Sequence, residues 1–413
     1  MAGSSLGENT EIMMGQSPPG ETCNTSGVGL PLLNGPTEYG PYYPTPVQFT
    51  TDARKRAKPG DILFCVRGST TGRMNWADRE YAIGRGVAAI HHKTKPELQP
   101  LVRAVIEYGL PDLLAQATGS TFPNVSADQL SRLWWPPLED AEQHGIAHIL
   151  GTLDNKIELN RRMNETLEAV SRVIFRSWFV NFDPVRAKME GRDPGIPKSL
   201  ADLFPDRFVG SKLGEIPAGW SVASVDGEFD LTMGQSPPGN TYNETGDGLP
   251  FYQGRADFSF RFPTRRVYCT SPSRFAKAGD TLISVRAPVG DINMALEDCA
   301  IGRGVAAARH KTASRSYTYQ FMRALRRVFA QFEAEGTVFG ALGKRDFHAI
   351  PCFSPPRSIV MAYEECVSAF ENRIEVNERE SRTLATLRAQ IMTKLISGEM
   401  SVPGAASEIG GRK

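Results

Sequence analysis

Apolar residues recur at alternating spacings of four and three through the middle of the chain, which is the pattern of a helix with one buried face. The stripe consists of Ile146, Leu150, Leu153, Ile157, Met163, Leu167, Val170 and Ile174, with the polar residue Asn160 between its two halves. The second half resumes one residue early, as in a coiled coil with a stammer. Prolines at 136–137 and at 184 predict the two ends. The pattern therefore predicts one long helix over residues 138–182.

A second stripe near the C-terminus has the same character. It consists of Val367, Phe370, Ile374, Asn377, Ser381, Leu384, Ile391 and Leu395. The sequence LDNKIELN, which begins at Leu153, matches FENRIEVN, which begins at Phe370, and the offset between them is 370 − 153 = 217. Asn160 and Asn377 are equivalent, and an asparagine in an apolar seam usually fixes the register of two helices.

We therefore predict a second long helix over residues 358–399 that pairs with the first. The predicted residues of the helix-pair seam are Leu153, Ile157, Asn160, Leu167, Phe370, Ile374, Asn377 and Leu384. Two surface helices that each pack on their own domain remain the alternative.

The segments that precede the two helices repeat each other. MGQSPPG begins at Met14 and again at Met233, which is an offset of 233 − 14 = 219. IGRGVAA begins at Ile83 and again at Ile301, which is an offset of 301 − 83 = 218. The chain is therefore a tandem duplication of one domain and one helix. The first copy lacks a counterpart of the LGEIPAGW sequence that begins at Leu213, so an upstream start remains open.

Short apolar runs bounded by glycine and proline predict strands, and residues 96–116 and 314–334 have the pattern of helices. The predicted organisation is a first globular domain at 1–137, a central spacer helix at 138–182, a connector rich in proline and glycine at 183–214, a second globular domain at 215–357, a C-terminal spacer helix at 358–399 and a flexible tail at 400–413. The expected fold class is mixed α/β: two α+β domains joined by two long helices that form a coiled-coil spacer, with pseudo-twofold duplication.

Composition excludes few classes of function. The 413 residues carry 47 basic and 46 acidic side chains, a net charge of +1, so a positive surface for nucleic acid would have to be local. The six cysteines lack CxxC spacing, which argues against a disulfide framework or a zinc site. No apolar run is long enough for a membrane span and the N-terminus lacks a signal pattern, so we expect a cytoplasmic protein.

Sequence motifs of catalysis are missing, since there is no G-x-S-x-G, H-E-x-x-H or glycine-rich dinucleotide fingerprint. We therefore expect no catalytic and no metal-binding residues. Basic side chains instead accompany the repeated loops, and arginine and lysine neutralise phosphates, while arginine and glutamine also bind base edges. The candidate DNA-binding residues are Gln16, Arg54, Lys55, Arg56, Lys58, Arg67, Arg85, Lys93, Gln235, Arg261, Arg265, Arg266, Arg274, Lys277, Arg286, Arg303 and Lys311. A solvated basic face remains an equal alternative, and Arg85 and Arg303 fit a structural role in their glycine turns equally well.

The ordered set of segments resembles the specificity (S) subunit of type I restriction–modification enzymes. The resemblance is carried by the GQSPPG loops, by LDNKIELNRRMNETLE and IFRSWFVNFDPVRAKMEGRDPG in the central region, by LGEIPAGW and by AQIMTKLISGE near the C-terminus. It implies a non-catalytic subunit in which a pair of long antiparallel helices joins two target-recognition domains. Each domain would read half of a split sequence in double-stranded DNA. It also implies that the helix pair docks two methyltransferase subunits and that endonuclease-translocase subunits join them. S-adenosylmethionine, ATP and Mg²⁺ would then belong to those partners, with no cofactor bound by this chain.

The two copies share their loops but differ at Pro46-Val47 against Arg265-Arg266, so we expect related but non-identical half-sites. Helix length is expected to set the gap between them. A stand-alone DNA-binding regulator and a coiled-coil adaptor remain the alternative functions. The first would bind its site tightly without partners, and the second would lack salt-dependent affinity for DNA.

Overall fold

The computed structural model describes residues 3–116, 123–334 and 340–410, and the chain forms two compact units. The first unit contains Met1–Asn160 and Glu380–Lys413, and the second contains Arg161–Arg379. Each unit therefore holds one copy of the repeated segment and part of both long helices. Short parts of the predicted domains, at 1–2, 117–122 and 335–339, and of the predicted tail, at 411–413, lie outside the described residues.

The first unit contains two sheets and a short strand pair. Its strands are β1 Ser4–Ser5, β2 Thr10–Met14, β3 Cys23–Asn24, β4 Leu30–Leu33, β5 Gln48–Thr50, β6 Arg56–Ala57, β7 Ile62–Cys65, β8 Met74–Trp76, β9 Tyr81–Ile83, β10 Val87–His92 and β11 Trp134–Trp135. Strands β2, β10, β7 and β8 form an antiparallel sheet in that order. Strands β3, β5, β4, β9 and β6 form a mixed sheet in which β4 and β9 are parallel. The helices before the long central one are α1 Leu6–Asn9, α2 Gln99–Ala115 and α3 Ala127–Ser131.

The second unit repeats this arrangement. After the long helix α4 Asp140–Arg176 come α5 Asp183–Met189, α6 Lys198–Ala201, α7 Val225–Glu228, α8 Arg315–Ala324, α9 Arg326–Ala334 and α10 Lys344–Ala349. The strands are β12 Phe208–Ser211, β13 Gly214–Pro217, β14 Ser221–Ser224, β15 Phe229–Met233, β16 Tyr242–Asn243, β17 Leu249–Tyr252, β18 Tyr268–Cys269, β19 Phe275–Ala276, β20 Thr281–Ser284, β21 Ile292–Met294, β22 Cys299–Ile301, β23 Val305–His310 and β24 Pro351–Ser354. The two main sheets have the orders β15-β23-β20-β21 and β16-β18-β17-β22-β19, which match those of the first unit.

A tight turn places the central strand of each unit. Gly60 has a φ of 88°, which favours glycine, and the Asp61 carboxylate accepts a hydrogen bond of 2.8 Å from the backbone N–H of Lys58. Strand β7 follows with four buried residues. Asp280 accepts the equivalent bond from Lys277 at 2.8 Å before β20, which is also fully buried. The repeated K-x-G-D sequence therefore encodes the same turn and the same buried strand twice.

In the first unit, α4 packs antiparallel against the last long helix, α11 Arg357–Ser397. Ile146 and Leu150 of α4 lie in one apolar cluster with Leu387, Ile391 and Leu395 of α11. The same cluster includes residues of α2 and of the sheet strand β7. The predicted antiparallel helix pair is confirmed, and in each unit one apolar core joins that pair to one sheet, the sheet that contains β7 or β20.

A buried ionic cluster extends this contact. Arg388 of α11 donates a hydrogen bond of 3.1 Å to Asp154 of α4 and one of 2.6 Å to Glu107 of α2. Burial raises the pKa of Asp154 above its usual value even beside this guanidinium. For Glu107, burial acts in the same direction, but the guanidinium groups of Arg103 and Arg388 outweigh it and lower the pKa.

In the second unit the same helices are held by polar contacts. The Asn377 amide donates a hydrogen bond of 2.8 Å to the Asn164 side-chain oxygen, and the Tyr363 hydroxyl donates one of 3.0 Å to the Ser171 carbonyl. Asn160, in the first unit, donates to Glu380 at 2.7 Å. A buried amide in a helix seam favours one register, because any shift leaves it without a partner.

The seam of α4 is more polar than the predicted apolar stripe. Asn160, Asn164 and Ser171 are fully buried, whereas Val170 is 39% exposed. The predicted stammer after Asn160 is therefore wrong, because Asn164 and Ser171 continue the same helix face together with Leu167 and Ile174, which pack against buried apolar clusters. Of the eight predicted seam residues, those with buried side chains are Leu153, Asn160, Ile374 and Asn377, and those half-buried are Ile157, Leu167, Phe370 and Leu384.

Three further elements differ from the predictions. The expected flexible tail contains α12 Val402–Gly410, in which Ala405 is fully buried and Val402 packs closely over Gly145, because Gly145 has no side chain. The predicted helix at 314–334 is interrupted at Leu325, where α8 ends and α9 follows. The connector at 183–214 contains helix α5 and strand β12 in addition to the short helix α6, which the sequence around 198–203 predicts. The predicted domain boundaries stay predictions.

None of the helices in the described part of the chain combines the length and the apolar composition that a membrane span requires.

Arg261 was expected to contact DNA, and the structure corrects this expectation. Its guanidinium is fully buried, donates to the Glu371 carboxylate and lies 3.4 Å from the centre of the Tyr319 ring. Burial would lower the pKa of Arg261, but the Glu371 carboxylate raises it above its usual value, so the pair is ionic. A charge run in the sequence does not show which of its members the fold will bury.

We predict that Arg261→Ala destabilises the second unit by about 3–5 kcal/mol, because it leaves the Glu371 carboxylate buried without its partner. Arg274→Ala, at an exposed position of the same domain, should change stability by less than about 0.5 kcal/mol. Hydrogen exchange of the second unit in the full chain measures both changes. Equal stability of the two variants would show that the buried pair does not hold this unit.

Candidate nucleic-acid interface

The two repeated motifs of each copy meet in space. In the first unit the backbone N–H of Gln16 donates to the Ile83 carbonyl at 2.9 Å, which joins the QSPPG loop to the IGRG turn. In the second unit Gln235 donates to Ile301 at 3.0 Å. Both glutamine side chains are exposed. Two segments that are distant in the sequence therefore form one surface in each unit.

Glycines make this approach possible. A Cβ atom added to Gly15 would lie 2.2 Å from the Gly84 carbonyl oxygen, and one added to Gly234 would lie 2.2 Å from the Gly302 carbonyl oxygen. Backbone atoms cannot move away as the end of a flexible side chain can. The glycine before each QSPPG sequence is thus required because two backbones touch there.

Arg85 and Arg303 lie at the centre of these surfaces, and each contacts the neighbouring loop; their contact with DNA stays a prediction. The Arg85 Nε donates to the Ser17 hydroxyl at 3.3 Å, and the Arg303 Nε donates to the Ser236 hydroxyl at 3.2 Å. Both arginines are exposed. A guanidinium has five N–H donors, so the serine contact orients each group while leaving donors for a phosphate or a base edge.

In the second unit this surface opens into a cleft of about 690 Å³. The arginines that line it are Arg255, Arg266, Arg286 and Arg303, and Ser236 and Gln253 lie beside them. Arg266 donates to Asp257 at 2.9 Å, and this hydrogen bond raises the pKa of Arg266 above its usual value. Arg286 has no ion pair with any described residue. The cleft therefore concentrates positive charge and hydrogen-bond donors on a protein whose net charge is close to zero.

Several other candidates are exposed and available. Within the described part of the chain, those without an ion pair are Lys55, Lys58, Arg67, Arg274 and Lys277. Arg67 and Arg286 occupy equivalent positions, each bridged to a neighbouring segment, at Asn124 and Ala341. The two units thus offer comparable sets of unpaired cations around the same pair of loops.

Four candidates are held by acids of their own domain, which the linear charge pattern did not reveal. Arg54 pairs with Asp52 at 2.8 Å and Arg56 with Glu80 at 3.2 Å. Arg265 donates to both oxygens of Glu297, at 2.5 and 2.8 Å, and Arg266 pairs with Asp257. All four remain partly exposed, so DNA phosphates would have to compete with these carboxylates.

Lys93 and Lys311 have structural contacts instead. The Lys93 ammonium donates to the carbonyls of Gly7 and Glu8, both at 2.8 Å, at the end of α1. Lys311 makes the equivalent contacts with Asp226 and Gly227 at α7. A lysine suits the C-terminal end of a helix because the last carbonyls lack partners there. These two lysines are therefore corrected to helix-capping residues.

Sequence reasoning missed Gln253 and Arg255 at the second cleft. The repeat could have indicated this position, because LPLLNG and LPFYQG are equivalent segments that carry Asn34 and Gln253 at the same place before a shared glycine. In the first unit the Asn34 amide donates to the Gln48 side chain at 2.9 Å. The same loop position thus carries different polar groups in the two units.

No group of three or more histidine, cysteine, aspartate or glutamate residues in the described ranges is arranged to hold a metal ion.

Comparisons with known proteins show which proteins this chain is similar to. A family model described as the type I restriction modification DNA specificity domain matches residues 4–169. A type I restriction enzyme specificity subunit of Methanocaldococcus jannaschii, MjaX, is 30% identical over 271 residues, which are 65% of this chain and 59% of that protein. The chain thus spans about three fifths of the length of that relative.

Two other proteins are similar over most of this chain. The HindI type I restriction enzyme specificity subunit of Haemophilus influenzae is 24% identical over 407 residues, covering 84% of this chain and 88% of that protein. The crystal structure of the type I restriction–modification S subunit from M. genitalium has a TM-score of 0.56 at 15% identity and covers 95% of both chains. This last similarity shows a shared fold.

We predict that Gly15→Ala destabilises the first unit by about 1–3 kcal/mol, because its methyl group forces the loop away from the turn. Gly20→Ala in the same loop is the matched control, since no atom lies within 4 Å of an added Cβ there. Urea unfolding, with hydrogen exchange followed in β2 and β10, measures the difference. If both variants unfold alike, the loop is not held against the turn.

Proposed function

Because this chain belongs to the DNA specificity family of type I restriction–modification systems, we propose that it selects the DNA sequence on which such a system acts. One observation carries the proposal: each unit presents the same loop pair, with an exposed glutamine and a serine-oriented arginine, Gln16 with Arg85 and Gln235 with Arg303. Two such surfaces in one chain fit a bipartite target of two half-sites separated by base pairs that are not read.

The exposed side chains suit the reading of duplex DNA. Arginine can donate two hydrogen bonds to guanine in the major groove, and glutamine can pair with adenine in the same way. The unpaired cations near the loops, such as Lys58 and Lys277, would neutralise phosphates and hold the domain on the duplex. Residues that differ between the copies, such as Asn34 and Gln253, would then read different bases.

We propose further that catalysis belongs to partner subunits. A specificity subunit has a non-catalytic role, and S-adenosylmethionine, ATP and Mg²⁺ would bind to methyltransferase and endonuclease-translocase subunits in the cytoplasm. Two methyltransferase copies would dock on the helix pair. Leu159 on α4 and Val376 on α11 are equivalent in the repeat and are 54% and 53% exposed. Exposed apolar side chains at equivalent positions suit two copies of one partner.

We predict that cells carrying this chain and its methyltransferase methylate a bipartite sequence with two related but non-identical half-sites. Base-resolved mapping of adenine and cytosine methylation in their DNA is the measurement. Cells that carry the chain alone are the control and should show no new methylation. A single continuous methylated motif would contradict the reading of two half-sites, and methylation by the chain alone would contradict its non-catalytic role.

A further inference from the structure

A second basic cleft lies in the second unit, apart from the repeated loops. It has a volume of about 790 Å³. Helix α4 contributes Arg172 and Arg176, and the segment of α8 and α9 contributes Arg323, Arg326 and Arg327. The loop from Gly290 to Ile292 and the half-exposed Phe260 complete its lining.

The charges that line this cleft do not balance. Its two acids are Glu168 and Asp291. The Glu168 carboxylate pairs with Arg323, and Asp291 pairs with Arg255 at 2.5 Å. Arg326 is 3.7 Å from Asp291 and largely exposed. The acids are thus already engaged.

Three arginines of the cleft, Arg172, Arg176 and Arg327, have no ion pair with any residue that the structure describes. Arg172 and Arg176 are four residues apart on α4, so they lie on one face of the helix, and like charges at that spacing repel each other. Arg323 and Arg327 have the same spacing across α8 and α9. An anionic ligand would relieve this repulsion, and guanidinium groups suit phosphate because of their planar, forked donors.

The cleft adjoins the candidate DNA surface of the same unit. Arg286 lines the cleft of about 690 Å³ in the candidate interface, here the first cleft. Asp291, only five residues further along the chain, lines the cleft of about 790 Å³, here the second cleft. Asp291 lies between Arg255, which lines the first cleft, and Arg326, which lines the second. The two clefts are therefore neighbours on one charged surface.

The first unit carries no copy of this cleft among its described residues. In the alignment of the two long helices, Arg172 and Arg176 correspond to Ala389 and Thr393. Helix α2 carries a single arginine, Arg103, which pairs with Glu107 at 2.7 Å. A surface that docks two copies of one protein partner would be expected in both halves of the duplication. This asymmetry favours DNA over an acidic segment of a duplicated protein partner.

We propose that the cleft formed by Arg172, Arg176, Arg326 and Arg327 binds phosphate groups of the DNA backbone beside the half-site that the second domain reads. The proposal rests on the proposed function and adds a sequence-independent contact to one half of the target. The affinity of the second domain for its half-site would then depend on salt concentration more steeply than the affinity of the first domain for its own half-site.

The test measures the affinity of the full chain for a mixed-sequence DNA duplex at several salt concentrations by fluorescence anisotropy. The double variant Arg172→Ala/Arg176→Ala should reduce the slope of log affinity against log salt by about 1 for each phosphate that the protein no longer neutralises. The double variant Arg172→Lys/Arg176→Lys should keep most of the slope, because it keeps both charges. Arg132→Ala/Arg192→Ala removes the same charge from exposed positions outside the cleft and should leave the slope unchanged.

An unchanged slope in Arg172→Ala/Arg176→Ala would overturn the proposal. In that case two further measurements on the same variant identify which anionic ligand the cleft binds. Loss of ATP binding in calorimetry would assign the cleft to a free nucleotide, and loss of co-purification with the methyltransferase would assign it to an acidic protein segment. Failure of the proposed function would be seen separately, as a methylated motif that is not bipartite, whatever the salt slope.

Discussion

A carboxylate buried against two long helices has to be neutralised, and in both units this requirement ties the globular domain to the helix pair. Asp154 of α4 and Glu371 of α11 are equivalent in the repeat, and both are buried. Arg388 neutralises Asp154 in the first unit and also binds Glu107 of the domain helix α2. Arg261, from a loop of the second domain, neutralises Glu371. An unpaired charge in either place would cost several kcal/mol, so the domain and the helices fold as one unit.

The residues that hold the loops of each unit together differ from the residues that are proposed to read DNA. Identical sequences, such as the glycines before each QSPPG loop and in each IGRG turn, hold two backbones together and place one arginine on the surface of each unit. Positions that differ between the copies, such as Asn34 and Gln253, lie on the surfaces that these backbones position. A duplicated chain can therefore keep one architecture while its two domains acquire different targets.

Much of the fold could be predicted because its signals are local or repeated. The helical stripes predicted two long paired helices, the family resemblance implied that they are antiparallel, and the duplicated motifs predicted two similar domains of mixed α and β structure. The side-chain contacts could not be predicted, because they depend on partners distant in sequence. Arg261 is buried only because Glu371, far along the chain, meets it in space. Val170 belongs to the predicted apolar stripe, yet it is exposed because the next residue, Ser171, occupies the buried face of the helix.

The C-terminal tail and the DNA interface are two further cases in which contacts with distant partners could not be predicted from the sequence. The tail was predicted to be flexible from its small polar residues, yet it forms α12, and Val402 packs over Gly145 of α4. Which exposed side chains contact bases stays a prediction, since a base edge is a partner that the sequence does not contain.

In the proposed function each domain reads its own half-site, independently of the other. A chain in which the first predicted domain, 1–137, is replaced by a copy of the second, 215–357, tests this most directly. Base-resolved methylation mapping of cells that carry this chain with its methyltransferase is the measurement. We predict a bipartite motif in which both half-sites have the sequence read by the second domain. An unchanged motif, from a replaced chain that still assembles with its methyltransferase, would contradict independent reading.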